Sequence, residues 1–339
     1  MHIPDNYLSP ATCAVLGAAM VPVWTVAVRK VRRELPKAGV PLLGIAAAFS
    51  FLVMMFNVPL PGGSTGHAVG AALLAVTLGP WAACLSISIA LLLQALMFGD
   101  GGILAFGANA FNMAFVMPFL GYFVWRVVRD LSPRGRGEIA GLVAGSYVSF
   151  AVAALLVGIE LGVQPLFFRD ASGVPLYFPY PLSVSVPAML VPHLAVAGVA
   201  DALFAAAVFA FLRRVSPGSI YQAARSRTRV LSAVLVGLAC LTPVGMLASG
   251  KAWGEWGVAT IRSMIGYVPR GMQKGFTLPG LFPGYLVRGF PDVLGYTLSA
   301  VAGSAVLVIV FKLIGLAWAE RRRKSGAQAP KLNDSRLAS

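Results

Sequence analysis

The sequence predicts an all-α integral membrane protein, a polytopic helical bundle with a seven-span unit followed by a two-span C-terminal hairpin. Three observations carry this prediction. Of 339 residues, 58% are hydrophobic and 12% charged, about half the charged share of a soluble domain. The apolar residues gather in runs close to the ~20 residues that a membrane helix needs. Basic residues cluster at alternate gaps between those runs, as the positive-inside bias requires. The same hydrophobicity excludes a disordered chain. The net charge of +15 would suit a nucleic-acid binder, but the apolar runs argue against one.

The spans fall near 11–28, 40–59, 67–79, 80–98, 103–125, 139–159, 185–212, 230–248 and 295–318. The stretch 67–98 could be one kinked helix or two short spans, because Gly79-Pro80 divides it and proline breaks a helix interior. Loop charge favours two. With nine spans and the N-terminus outside, 21 of the 27 Lys and Arg residues fall on the cytoplasmic side, from Arg29 in the first loop to Arg336 in the tail. The span at 67–79 is short, so the loop before it is expected to dip into the membrane. Residues 1–212 then form the seven-span unit and 213–229 a basic cytoplasmic linker. Residues 230–318 form a two-span unit around an external loop, 249–293, rich in Gly, Pro and aromatics. The polar tail, 319–339, is cytoplasmic. The first residues lack a basic n-region and a cleavage site, so the mature chain is expected to begin at Met1. Cys13, Cys84 and Cys240 lie in apolar runs without a CxxC pair and read as small core residues. The pairs Ala14/Ala18 and Ala71/Ala75 have the spacing that brings helices close, a weak signal in a chain so rich in alanine.

Chemistry is sparse. There are three histidines, His2, His67 and His193. HExxH and Walker A motifs are missing, so the chain is read as no enzyme and as having no nucleotide site of its own. The informative segment is Met1-His2-Ile3-Pro4-Asp5. A free α-amine has a reference pKa of about 8, so a metal displaces its proton at modest cost. Amine, His2 backbone nitrogen and His2 Nδ1 follow one another covalently, closing a five-membered and a six-membered chelate ring. Three nitrogens are thus set in one plane, and a fourth completes the square geometry of Ni²⁺ or Cu²⁺. His67, in Gly62-Gly63-Ser64-Thr65-Gly66-His67, stands at the same outer face and can supply it. Singly, each has an ordinary reading: His2 as a solvated terminal residue, His67 as a helix cap. Together on one face they make a candidate metal site of Met1, His2 and His67.

Asp5 is either a turn aspartate or a group that holds the terminus or receives an imidazole N–H. Asp100, Asn109 and Asn112 are polar groups at membrane depth, expected to hydrogen-bond between helices and fix the loop carrying His67. His193 and Asp201, two helical turns apart, could form a polar path, with a structural role favoured.

These motifs, taken in order, resemble the cobalt and nickel uptake proteins of the CbiM/NikM type. The resemblance rests on Met1-His2-Ile3-Pro4-Asp5, Gly62 to Gly70, Gly79-Pro80-Trp81, Phe98-Gly99-Asp100-Gly101-Gly102 and Gly107 to Met113, and covers about 1–225. It implies the substrate-capture (S) component of an energy-coupling-factor (ECF) importer, with Co²⁺ or Ni²⁺ as transported substrate. It also implies a CbiQ-type transmembrane T component and CbiO-type cytoplasmic ATPases as partners, in the cell membrane. The family's ligands fall on the Met1 amine, His2 and His67. Where the family commonly has Gly after the aspartate, this chain has Asn6, which tolerates left-handed backbone. Trp253-Gly254-Glu255-Trp256 and Gly266-Tyr267-Val268-Pro269 resemble the fused auxiliary domain of the NikN/CbiN (PDGLE) type, which supports metal loading in that family. The sequence leaves cobalt against nickel open, although planar amide ligation suits Ni²⁺. The competing reading is a self-sufficient secondary transporter or channel. That would need an ionisable relay across the bilayer, for which Asp201 is the main candidate.

Overall fold

The computed structural model describes residues 1–34, 40–61, 64–132, 137–215, 228–248 and 250–327. Lys37, Arg134, Arg136, most of the basic linker (216–227), Gly62-Gly63 and the tail from 328 lie outside them. The fold is helical throughout apart from one small hairpin.

Helix α1 (Pro10–Glu34) starts where Ser9 caps it: Ser9 Oγ accepts the Thr12 N–H at 3.1 Å, and Pro10 takes the first helical position. It ends on Arg32 and Arg33, cations that suit the negative end of the helix dipole. Helix α2 (Val40–Met54) is followed by strands β1 (Asn57–Leu60) and β2 (Ser64–His67), paired antiparallel with Asn57 opposite His67. Next come α3 (Ala71–Leu78), α4 (Pro80–Phe98), α5 (Phe106–Leu131), α6 (Gly137–Phe167), α7 (Leu182–Val215) and α8 (Val230–Leu247). Two short helices, α9 (Val258–Ile265) and α10 (Arg270–Lys274), precede the long α11 (Asp292–Ala327).

Each of the nine apolar runs carries a helix. Among the described residues, seven helices are long and apolar enough to cross a membrane. The two exceptions are α2, with 15 residues, and α3, with 8. The break at Gly79-Pro80 is real: α3 ends and α4 begins there. At ~1.5 Å per residue α3 is only about 12 Å long, so the chain before it must run in a non-helical path through the protein interior. The segment expected to dip into the membrane is this hairpin and the non-helical Ala68–Gly70, where Gly70 is left-handed at φ 70°. Backbone N–H and C=O groups at that depth need protein partners, and side chains supply them. Asp201 Oδ1 accepts from Val69 N (2.9 Å) and Gly70 N (3.0 Å), and Ser50 Oγ donates to Val69 O (2.9 Å). Ser146 Oγ donates to the second Asp201 oxygen at 2.8 Å. Asp201 is therefore a strut for the His67 loop. This is the structural role favoured from the sequence, and the alternative polar path with His193 is not formed: His193 Nδ1 bonds the Met189 carbonyl one turn earlier. Asp201→Ala would strand three buried donors and is expected to destabilise the fold by roughly 3 kcal/mol or more. Asp201→Asn, which keeps an acceptor, should lose less. Thermal unfolding in detergent measures both, and an unchanged melting temperature for Asp201→Ala would discount the strut.

Helix α11 lies chiefly along α2 rather than along α8. Glycine makes the contact possible. A Cβ at Gly44 would stand 3.1 Å from the Phe311 Cβ and the Val308 Cα, and one at Gly303 would overlap the Phe51 ring. Small residues at a membrane helix contact let backbones approach. The pair Ala14/Ala18 does not serve this purpose, being exposed. Cys84 is buried, Cys13 half-buried and Cys240 exposed, so the last is not a core residue. At the end of the bundle that carries the helix-terminal arginines, the Arg32 guanidinium lies 5.4 Å from the Trp318 ring, and Arg213 pairs with Glu138 at 3.1 Å. At the opposite end residues 250–291 fold over the N-terminus.

Candidate metal centre

The first eight residues are threaded into the molecule. Met1, His2 and Ile3 are 3%, 4% and 0% exposed, which removes the reading of His2 as a solvated terminal residue. Asn109 holds the strand by both edges of its amide: Ile3 N–H donates to Oδ1 (2.8 Å), and Nδ2 donates to the Ile3 carbonyl (3.1 Å). Gly102 N–H donates to the same carbonyl at 2.8 Å. A Cβ on Gly102 would overlap the Asp5 backbone, so the loop after α4 comes this close only because the residue is glycine. Asp5 Oδ1 accepts the Leu104 N–H at 2.8 Å. Of its open roles Asp5 thus takes that of holding the terminus, and its partner is backbone rather than imidazole. Asn6 has φ 69° and bonds the Phe276 carbonyl at 2.9 Å, a left-handed conformation that Asn accepts in place of Gly.

The two histidines meet. His67 Nε2 lies 3.1 Å from His2 Nδ1, with ring centroids 4.9 Å apart. His67 Nδ1 is 3.1 Å from the Ala68 carbonyl. A carbonyl only accepts, so the His67 proton sits on Nδ1, and Nε2 presents a lone pair to His2. Asp100 Oδ1 is 3.4 Å from the same His2 Nδ1. The Met1 amine lies 3.4 Å from Glu255 Oε1. Burial, with the nearby amine adding to it, pushes His2 down to about 3, and His67, bonded through Nδ1 to the Ala68 carbonyl, faces His2 with a lone pair on Nε2. Both rings are therefore neutral at pH 7, the form in which imidazole binds metal. Burial raises Glu255 to about 7, against the opposing pull of the amine.

Because folding lowers the His2 pKa, the unfolded chain takes up the proton first, below about pH 6.5. The stability that the neutral ring contributes is present above that pH and lost as pH falls towards 3. At pH 5 the loss for His2 amounts to about 2 kcal/mol. The melting temperature of the metal-free protein is expected to fall between pH 7 and pH 5, and a flat profile would contradict the buried, neutral ring.

The other expected residues divide. Asp100 and Asn109 are at the centre, but they hold His2 and Ile3 rather than the His67 loop, which rests on Asp201. Asn112 does make an interhelical bond, to Glu160 Oε2 at 2.8 Å, away from the histidines. Sequence reading missed Gln94, Glu255 and Tyr285. Gln94 Nε2 donates to Tyr285 Oη at 2.9 Å, and Tyr285 donates to Asp100 Oδ2. Nothing local distinguishes these three: Glu255 and Tyr285 arrive through contacts across more than 180 residues, and Gln94 reaches Tyr285 across 191 besides its neighbour Asp100. A cavity of about 330 Å³ reaches the site past His67, Asp100, Glu255 and Tyr285. Trp253, Trp256, Phe178 and Tyr180 stack beside it, Tyr7 donates to the Trp256 carbonyl, and Ser64 Oγ accepts the Trp253 N–H at 2.7 Å. Among the described residues no three His, Cys, Asp or Glu side chains gather as a metal-holding group. What gathers is two imidazoles at the chain's own amine.

The described helices are those of a polytopic membrane protein, and beneath one end two neutral imidazoles stand at the buried terminus. The chain belongs to the family described as the cobalt uptake substrate-specific transmembrane region, whose model matches residues 2–219; a PDGLE domain matches 227–320. It is 51% identical over 325 residues to the "Probable fused nickel transport protein LarMN" of Lactiplantibacillus plantarum, covering 93% of this chain and 97% of that one. It is 47% identical over 335 residues to the fused nickel transport protein NikMN of Rhodobacter capsulatus, covering 91% and 95%. A crystal structure titled as a transition metal transporter is 55% identical, with a TM-score of 0.60, covering 63% of this chain and 93% of that chain.

Proposed function

We propose that this chain is the metal-capture subunit of an ATP-driven ECF importer for Ni²⁺ or Co²⁺. The ion is taken from outside by the Met1 amine, the His2 backbone nitrogen, His2 Nδ1 and His67 Nε2. The observation that carries this reading is the 3.1 Å separation of His67 Nε2 and His2 Nδ1 beside the buried terminus. Nitrogens bound at about 2.0–2.1 Å, as imidazoles are on a divalent ion of this size, stand about 2.9 Å apart at a right angle. The two ring nitrogens are thus near the spacing of adjacent corners. The ion displaces the proton that His2 Nδ1 shares between His67 and Asp100. The names of the relatives support nickel or cobalt as the substrate, and planar ligation with an amide nitrogen favours Ni²⁺.

Residues 1–212 form the capture unit in this reading, and residues 230–318 an auxiliary unit that roofs it with the 249–293 loop. Energy comes from a CbiQ-type T component and CbiO-type ATPases, since the chain has no phosphate-binding motif of its own. A proton-coupled transporter would need a free acid in the bundle. Asp201, the best candidate, already accepts three hydrogen bonds. Uptake of radiolabelled Ni²⁺ and Co²⁺ in cells with and without the ATPase partners tests the proposal. Accumulation should require them, and uptake by this chain alone against a gradient would overturn it.

The orientation is N-terminus outside and C-terminus inside. With Cys13, Cys84 and Cys240 replaced by alanine, a cysteine at Ser132 is expected to react with an impermeant maleimide only in inverted vesicles. Labelling in intact cells would reverse the topology.

A further inference from the structure

The cavity over the centre is layered. Its opening lies between two stretches of the roof, where Gly250, Lys251 and Gly284 line it and are exposed. Deeper in stand Glu255 and Asp100, whose side chains keep 22% and 21% of their surface exposed. Deepest are the nitrogen donors: the Met1 and His2 side chains are 1% and 2% exposed, and His67 is buried. Each acid stands beside one donor. Glu255 Oε1 is 3.4 Å from the Met1 amine, and Asp100 Oδ1 is 3.4 Å from His2 Nδ1. Tyr285 donates to the other Asp100 oxygen and fixes that carboxylate. Six waters of a hydrated divalent ion, at ~30 Å³ each, take up roughly 180 Å³. The cavity, about 330 Å³, has room for the ion with its water shell.

The chain carries a net charge of +15, the wrong sign for drawing in a cation. A cleft walled by charge of the opposite sign corrects this locally, because low-dielectric walls focus its field and raise the rate of arrival. Resting on the metal-capture reading above, we propose that this cavity is the entrance of the hydrated ion, where Asp100 and Glu255 draw the ion in and Lys251 at the mouth holds its entry back. The carboxylates act through the water shell, and the nitrogens take the ion as that shell is lost. Exposure orders the encounter: an incoming ion passes Lys251, then the two acids, then the buried donors. Lys251 is exposed where the donors are buried, so its charge bears on how fast the ion arrives and not on how the ligands hold it. Lys251, Glu255 and Gly284 all belong to the PDGLE-matched segment. That segment therefore supplies the mouth of the entrance and one of its two acids.

The test uses the full-length protein in detergent with Ni²⁺ as the probe. Stopped-flow mixing reads association, and transfer to excess chelator reads release. Lys251→Gln should speed association several-fold and Lys251→Glu about 10-fold, with release unchanged, the pattern of a rim charge. Added salt should slow association in the wild type by screening the acids, and the pair Asp100→Asn with Glu255→Gln should abolish that slowing. Lys274→Gln, which removes an exposed roof cation outside the cavity, should leave both rates alone. A second measurement blocks the route itself. With Cys13, Cys84 and Cys240 replaced by alanine, Lys251→Cys carrying a bulky neutral maleimide should slow association and release by the same factor and leave Kd unchanged. Rates indifferent both to the charge at Lys251 and to the adduct would overturn the entrance. So would an acceleration by Lys274→Gln equal to that by Lys251→Gln, since net charge would then suffice. His67→Ala separates the two failures. If it binds Ni²⁺ as tightly as the wild type, the metal-capture reading falls and the entrance with it. If it loses binding while the Lys251 variants keep wild-type rates, the entrance alone falls.

Discussion

Adding residues before Met1 is expected to abolish metal binding and uptake, whereas extending the C-terminus leaves both intact. An extension turns the amine into an amide and breaks the chelate that sets His2 in the plane. It also has nowhere to go: Met1 is 3% exposed and faces Glu255. We expect at least a 100-fold loss of Ni²⁺ affinity, equivalent to about 2.7 kcal/mol or more, read by isothermal titration. A single Gly inserted between Met1 and His2 is the finer experiment. It keeps a free amine and every side chain but moves the histidine to position three, where an added amide makes a fourth intrachain nitrogen. Such a variant should still bind Ni²⁺ but fail in transport, because capture no longer draws on His67. Normal transport by an extended, unprocessed chain would rule out the terminus as a ligand.

The second large effect is expected from His67→Ala. High-affinity binding should disappear while the metal-free fold persists. His67 gives the candidate plane its one nitrogen from outside the terminus, and its remaining bond is to the neighbouring Ala68 carbonyl. The hairpin keeps its other supports: the pairing of β1 with β2, Ser64 to Trp253, and Asp201 below. Titration of the purified variant, beside its melting temperature, makes the measurement. Unchanged affinity would end the ligand assignment, and a collapse in melting temperature would show His67 to be structural first.

Parts of this protein are legible in order along the chain because their causes are local. Apolar run length fixed the helices, and Gly79-Pro80 fixed the break between α3 and α4, since a proline there leaves the preceding helix no continuation. The chelate of Met1 and His2 needs only covalent geometry, so it could be drawn before any fold was known. His67 could be joined to it because few histidines exist and loop charge set both on one face.

Other parts have no local signature. The short α3 reads as a full span in hydropathy, but the first residues of that run are non-helical, which is possible because Asp201 and Ser50, distant in sequence, satisfy Val69 and Gly70. Asp201 reads as a structural residue with an ion path as the alternative, since sequence cannot say whether a buried acid is free or already bonded. The packing of α11 on α2 was hidden because Gly44 and Gly303 matter only through what faces them, Phe311 with Val308 and the Phe51 ring. Glu255, Gln94 and Tyr285 look like ordinary loop and helix residues. Sequence by itself determined the membrane class, the helices and the candidate nitrogen donors at the terminus, all consequences of neighbours along the chain. Tertiary structure alone decided what stands around them, because hydrogen-bond partners are chosen by distance in space, and His2 meets Asp100, and the Met1 amine Glu255, only once the helices have packed.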